Sequence, residues 1–229
     1  MKTIITCAAL VLVSAIAFAQ DNYTVKMNMK IDGLPAEYAA MGEQETLTYL
    51  KGEKSKVEIT GMMGSQIIVS DGKNYTFLTD AMGNKSGYTA TKEEMERGEK
   101  GKSESKPKIE YTTEKKMIAG YECTKAIVTS TDKDKKDNQI IVWITEKITS
   151  NAAKNKKGKN MMDLGDIKGY PLEMEMKQSQ QGMDMKIMIT ASEVTTTPIA
   201  DSVFNVSTDG YNMVSYKDAM EKMKGGMGK

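Results

Sequence analysis

Methionine at every second position is the feature of this chain with the most chemistry in it. The stretch "GMDMKIMITA" sets Met183, Met185, Ile187 and Ile189 on alternate positions; "LEMEMK" does the same with Leu172, Met174 and Met176, and "VKMNMKI" with Val25, Met27, Met29 and Ile31. On a helix, residues two apart lie about 200° apart and share no face. On a strand they point the same way, with Cα atoms roughly 7 Å apart. Charged Glu173, Glu175, Lys177, Asp184 and Lys186 occupy intervening positions, so one face is apolar and the other wet. These segments are strands. Three uses fit a thioether-lined face. Methionine fills irregular gaps in an ordinary core, and it moulds itself around a ligand of variable shape such as an acyl chain. It is also a soft donor for copper(I), for which Met174, Met176, Met183 and Met185 are the candidate ligands. With 20 Met against 3 Phe and 1 Trp, the chain favours deformability over rigid packing.

Other chemistries are poorly supplied. The chain has no histidine, which removes Ser-His and Cys-His pairs and imidazole metal sites. It contains no Gly-x-Ser-x-Gly elbow, phosphate loop or dinucleotide fingerprint. Carboxylates are plentiful but alternate onto solvent faces. Cys123, in "GYECTKAIV", reads as a buried structural thiol. The expectation is a non-enzymatic protein that needs no cofactor and has no catalytic residues.

The elements that hold these residues follow a leader. Residues 1–19 read as a signal peptide: Lys2, an apolar run from Ile4 to Phe18, and the small-x-small site Ala17-Phe18-Ala19. The expected location is therefore periplasmic, reached by secretion. Without Lys2, 31 basic residues balance 31 acidic ones, which gives nucleic acid no reason to bind. The clusters "DKDKKD" (132–137) and "KNKKGK" (154–159) read as solvated loops, the second with a sharper alternative as a contact for anionic lipid headgroups. Expected partners are a hydrophobic small molecule or lipid acyl chains, with transient contact to a membrane or membrane protein. The protein is expected to be a monomer.

Period-two patterning continues along the chain. "YTVKMNMKI", "QETLTYLKG", "SKVEITG", "SQIIVSDG" and "KNYTFLTD" read as successive strands. They are joined by connections too short for parallel crossovers, apart from a stretch near Pro35 that suits a short helix. Thr91 and Glu94 form a capping-box pattern, opening a segment (91–108) that reads as a surface loop or a lid. "YECTKAIVTS" and "NQIIVWITEK" follow; the latter is apolar on both faces, as a central strand would be. The two methionine strands of residues 172–177 and 183–191 should pair. A four-residue loop "SQQG" sets Met176 opposite Met185, and a one-residue slip would turn a methionine row into water. Met213, Tyr216, Met220 and Met223 fall at helical spacing and the pattern frays at Gly225-Gly226, within a stretch of about 217–229 that is expected to form a mobile tail. Roughly nine strands and two or three short helices make an α+β protein dominated by antiparallel sheet.

Four stretches resemble known proteins. "IAGYECTKA" (Ile118 to Tyr121, Cys123, Lys125-Ala126) with Val142-Trp143 and Thr145 resembles a family of secreted Bacteroidetes-type proteins of unknown function. "IIVSDGKNYTFLTD" (67–80) and "TPIADSVFNV" (197–206) resemble the periplasmic lipoprotein carriers of the LolA/LolB type. The resemblance implies one domain over residues 20–229. That domain would be an antiparallel sheet curved into an incomplete barrel, with short helices against its concave face and an apolar cavity between. Carriers of this type use a cavity arginine, whereas the one arginine here, Arg97, lies in "EEMERGE" and does not map onto it. Binding of an apolar ligand along the Met-bearing strands is what the resemblance leaves standing.

Overall fold

The computed structural model describes residues 22–99, 106–131, 137–154, 164, 166–180 and 183–226. Residues 1–19, the expected signal peptide, and most of both lysine-rich loops lie outside the described residues.

The first six strands form one meander: β1 (Asn22–Asp32), β2 (Gln44–Lys51), β3 (Lys54–Gly61), β4 (Gly64–Ser70), β5 (Asn74–Ala81) and β6 (Asn84–Thr91). A 3-10 helix, Ala36–Gly42, bridges β1 and β2 directly after Pro35. Helix α1 (Lys92–Glu99) follows β6 and starts on the capping box read from the sequence. The Glu94 carboxylate accepts from the Thr91 backbone amide at 2.8 Å, and the Glu94 amide donates to the Thr91 hydroxyl at 3.2 Å.

A second meander follows: β7 (Lys108–Ile118), β8 (Tyr121–Thr131), β9 (Asp137–Thr145), β10 (Tyr170–Gln180) and β11 (Met183–Thr195), with helix α2 (Asn151–Lys154) between β9 and β10. A short strand β12 (Asn212–Val214) and helix α3 (Tyr216–Gly226) complete the described chain. Helix α3 falls where the sequence sets Tyr216, Met220 and Met223 at helical spacing, and its Ala219 is buried.

The twelve strands among the described residues belong to one sheet, in the order β12-β6-β5-β4-β3-β2-β1-β11-β10-β9-β8-β7. Among the described residues, only the β12–β6 pair is parallel. The result is a large, curved, unclosed sheet with few short helices. The two meanders meet where β1 pairs with β11, so the first strand and the last long strand lie side by side.

The hairpin turns follow sheet geometry. Ala119-Gly120 and Met82-Gly83 both have positive φ at the two central positions (46° and 83°; 52° and 89°). This is the type I′ conformation whose twist matches that of the flanking strands.

One face of the sheet carries the core. Tyr23, Val25, Leu50 and Leu172 cluster with Ile148 of the β9–β10 connection. The Ser150 hydroxyl and the Ala152 amide of that connection both donate to the Gly52 carbonyl, at 3.0 and 2.7 Å. Farther along the same connection, Ile167 is buried against Ala126, Val128, Val142 and Ile144. The Lys168 amide donates to the Tyr111 hydroxyl at 2.8 Å, which ties this strap to edge strand β7. On the opposite face, Ile199 and Phe204 of the segment before β12 pack on Val69. There the Lys51 ammonium donates to the Ile199 carbonyl at 2.7 Å and pairs with Asp201 at 3.0 Å.

Candidate functional site: an apolar face across six strands

Register decides what the methionines can do. Met29 stands opposite Ile189, and Ile189 opposite Met174; Ile31 stands opposite Ile187, and Ile187 opposite Met176. The ladder continues from Met174 to Val142 and from Met176 to Ile140. It then runs to Ala126 and Val128 on β8, and to Tyr111 and Ile109 on β7. Two side-chain rows therefore cross six adjacent strands. One is Ile31–Ile187–Met176–Ile140–Val128–Ile109 and is apolar throughout. The other is Met29–Ile189–Met174–Val142–Ala126–Tyr111.

The predicted site residues are brought together by this arrangement. Val25 and Met27 continue the face toward the core end, opposite Val194 and Ala191. A bulge between Lys26 and Met27 places Ser192 out of register, and its hydroxyl donates to the Lys26 carbonyl at 3.3 Å. The bulge lets both apolar pairs stay on one face. Leu172 occupies the second bulge, between Pro171 and Glu173, and is fully buried. Val25 and Met27 are likewise buried, whereas Met29, Ile31, Met174, Met176, Met185, Ile187 and Ile189 are half-buried. Met183 holds its place in the ladder opposite Gln180; its side chain lies outside the described residues.

One expectation is corrected. Met176 is opposite Ile187, not Met185, and Met185 is opposite Gln178. The pairing runs to Gln180–Met183, so the hairpin closes on two residues rather than the four of "SQQG". The parity argument holds for either register, because a shift of two keeps every side chain on its face. The consequence is chemical: each methionine of β10 faces an isoleucine of β11, and thioethers alternate with hydrocarbon.

The start of β11 needs a glycine beside it. Gly33, at φ +94°, lies so close to β11 that a Cβ there would meet the Asp184 carbonyl oxygen at 2.2 Å. Only glycine lets β1 turn away at this point without displacing the strand that carries Met185.

The reverse face is wet, as the intervening charges require. Lys186 pairs with Glu175 at 3.1 Å and Lys116 with Glu173 at 2.6 Å. Trp143, on the reverse face of β9, is half-buried under the Lys116 ammonium, 4.3 Å from its ring centre. The two-faced apolarity of "NQIIVWITEK" is thus met on this side by a lysine stem and cation–π contact. Cys123 has no exposed surface, and burial pushes its thiol up to about 11. Lys116 pulls that value down and Glu173 pushes it up, by smaller amounts.

A shallow depression of about 360 Å³ lies beside this face, lined by Asn28, Met29, Lys30, Glu43, Gln44, Glu45 and Thr60. Of the predicted residues it takes only Met29; its other lining residues are of polar or charged type. Among the described residues, no group of three or more His, Cys, Asp or Glu could hold a metal ion.

Sequence reasoning missed part of the face: Ile109, Val128, Ile140 and the covering Ile167. The alternation of Ile140, Val142 and Ile144 is visible in the chain. That β9 adjoins β10 across a long connection is not, and the extent of the face depends on that neighbour.

No known family model matches the sequence, and no curated protein matches it. Solved structures with a similar chain path include PNGF-II, at 14% identity and a TM-score of 0.48, with 88% of this chain and 34% of that one covered. This chain thus spans about a third of the length of PNGF-II. The Mycobacterium tuberculosis lipoprotein LppX overlays at 13% identity and a TM-score of 0.38, over 77% of this chain and 88% of that one. A putative outer membrane lipoprotein-sorting protein domain from Vibrio parahaemolyticus overlays at 10% identity and a TM-score of 0.22, over 81% and 90%. What the face can bind follows from its own residues.

Proposed function

We propose that the protein is a non-enzymatic, extracytoplasmic binder of lipid or another hydrophobic molecule, carrier-like in action, whose ligand lies along the Met-bearing face of β1, β11 and β10. One observation carries this reading: two apolar rows run unbroken from β1 to β9 and are half-buried over β1, β11 and β10. A pliable face of this kind suits acyl chains, because methionine has three rotatable bonds and adapts to shape. In this reading the sheet curls as an incomplete barrel around the ligand, with Ile167 of the β9–β10 connection and the α2 segment closing one end.

The register favours this reading over copper(I). A soft-metal site needs several thioether sulfurs converging on one point. Here Ile187 and Ile189 stand between the methionines of β1 and those of β10.

The test replaces Met174, Met176, Met183 and Met185 with leucine, at a typical cost of less than about 1.5 kcal/mol per swap. Uptake of a fluorescent fatty acid by the folded variant should persist, and native mass spectrometry of the purified wild-type protein should show co-purified lipid. A clean apo mass with no fatty-acid uptake would favour a filled core, and copper(I) affinity lost with the thioethers would favour a metal handler.

A further inference from the structure

The exposed methionines are not scattered. Met62 and Met63 form the β3–β4 turn and Met82 begins the β5–β6 turn; Met62 is 70% exposed and Met82 79%. The pairing of Gly64 with Ala81 puts these two tips side by side. Gln44 pairs with Gly61, so the β1–β2 connection, with exposed Tyr38 and Met41, projects from the same end. Three successive connections on that end thus present five large apolar side chains to solvent. The opposite end of the same meander is polar: its turns are Gly52-Glu53 and Asp71-Gly72-Lys73. There the Asp71 carboxylate accepts from the Lys73 and Asn74 amides at 2.8 and 2.7 Å, as a solvent-facing turn is expected to. Among the described residues, the exposed large apolar side chains away from this fringe are Tyr111 (44%) and Met117 (66%), both on edge strand β7, and isolated exposed apolar residues need no explanation.

Methionine is an unusual choice at these tips. Met82 sits at φ +52°, a position that asparagine or glycine fills with less strain. An apolar residue held at positive φ and 79% exposed lowers solubility and contributes little packing to the fold.

We propose that this end of the sheet is a docking surface for a lipid bilayer with net-neutral, zwitterionic headgroups, into which the Met62, Met63 and Met82 tips insert. The shape favours a bilayer: separate narrow tips at the end of a sheet enter a deformable phase one by one, without needing a matching rigid groove. Charge selects the headgroup. Lys30 is paired with Asp32 at 2.9 Å and Lys85 with Asp80 at 4.0 Å, while Glu37 and Glu43 add negative charge. The described rim therefore offers no excess of cations to an anionic surface. The half-buried ends of the apolar rows (Ile31, Met176 and Met185) reach this same end, so a docked protein would open its ligand face toward the bilayer. That last consequence rests on the ligand-binding reading above; the docking does not.

Flotation of the mature protein with phosphatidylcholine vesicles tests the proposal. The wild type should co-float, and the partition coefficient should fall about tenfold for each methionine lost in M62S/M63S/M82S. The leucine variant M62L/M63L/M82L should bind as the wild type does, and E53S/K73S, at the other end, should change nothing. Fatty-acid affinity should be unchanged in the serine variant, which separates failure of docking from failure of the ligand site. A wild type that stays at the bottom of the gradient, or that floats only with anionic lipid, overturns the proposal. So does a folded serine variant that floats undiminished, or a leucine variant that does not.

Discussion

Introducing one cysteine pair across β10 and β11 distinguishes the two registers, and with them the two chemistries of the methionine face. Directly opposed residues in an antiparallel pair have Cα atoms about 4.5–5.5 Å apart. A diagonal pair is about 7–8 Å apart. A disulfide spans roughly 4.4–6.8 Å. Because Met176 is opposite Ile187, M176C/I187C should oxidise readily, and M176C/M185C should not. Native Cys123 is fully buried and should stay out of the exchange. Closing a loop of about a dozen residues should stabilise the protein by about 3 kcal/mol. For a chain of this size that corresponds to a rise in Tm of about 6–12 °C. Free thiols are counted by alkylation in denaturant and mass spectrometry after mild oxidation with diamide. Preferential closure of M176C/M185C would refute the register, restore side-by-side thioethers and reopen the case for copper(I).

Other expectations follow from the same contacts. Cys123 should react slowly with a bulky maleimide in the native state; because its thiol is raised to about 11, the stability it contributes is complete below the unfolded thiol's pKa and lost as pH rises toward 11, so denaturant midpoints should fall across that alkaline window. Lys116→Ala should cost about 1–3 kcal/mol, since it strips the cation from Trp143 and leaves Glu173, whose side chain is 15% exposed, without its lysine; the emission of Trp143, the one tryptophan, should shift with it. Leu172→Ala should cost about 3–5 kcal/mol in urea unfolding, because a side chain with no exposed surface is removed from a bulge that cannot readily collapse. If the face binds lipid, a ligand at a hundredfold excess over its Kd should raise stability by about 2.7 kcal/mol and slow amide exchange on β1 and β11 first, whereas a filled core would show neither effect.

Much of the sheet was legible because period-two patterning survives wherever one face is buried. The nine strands read from the chain are all present. Strands β6, β7 and β12 were not read, and each has a physical reason. In β6, "NKSGYTAT" offers only Tyr88 and Ala90 to a face, interrupted by a glycine that Leu78 and Met213 crowd. In β7, an edge strand, the register breaks between Tyr111 and Lys115, so alternation is lost mid-strand. The three residues of β12 pair with β6 in parallel, a contact that local sequence does not encode. The capping box at Thr91 and the burial of Cys123 were legible, because each depends on near neighbours and residue type. The exact register of β10 on β11 was not: side-chain parity excludes odd slips but leaves even ones open, and turn length decides between them.

The position of the methionine face in the topology bears on why it is soft. Each meander is built from local hairpins, but β1 and β11 lie far apart in the chain and still pair side by side in the sheet. The rows Met29–Ile189–Met174 and Ile31–Ile187–Met176 cross that junction, so neither half of the chain contains the face alone. Long-range pairing of this kind carries a closure entropy that hairpins do not. A rigid, interlocking junction would recover that cost by packing, as the buried end does with Val25, Leu172 and Ile148. Toward the other end the same strands switch to methionine and isoleucine and lose full burial. One junction is thus divided along its length: a packed end with Tyr23, Val25 and Leu172 in the core, and a half-buried end of methionine and isoleucine on β1, β10 and β11. Under the proposed ligand-binding reading, a hydrocarbon ligand would supply the contacts that the second end lacks, and methionine there would keep that end deformable.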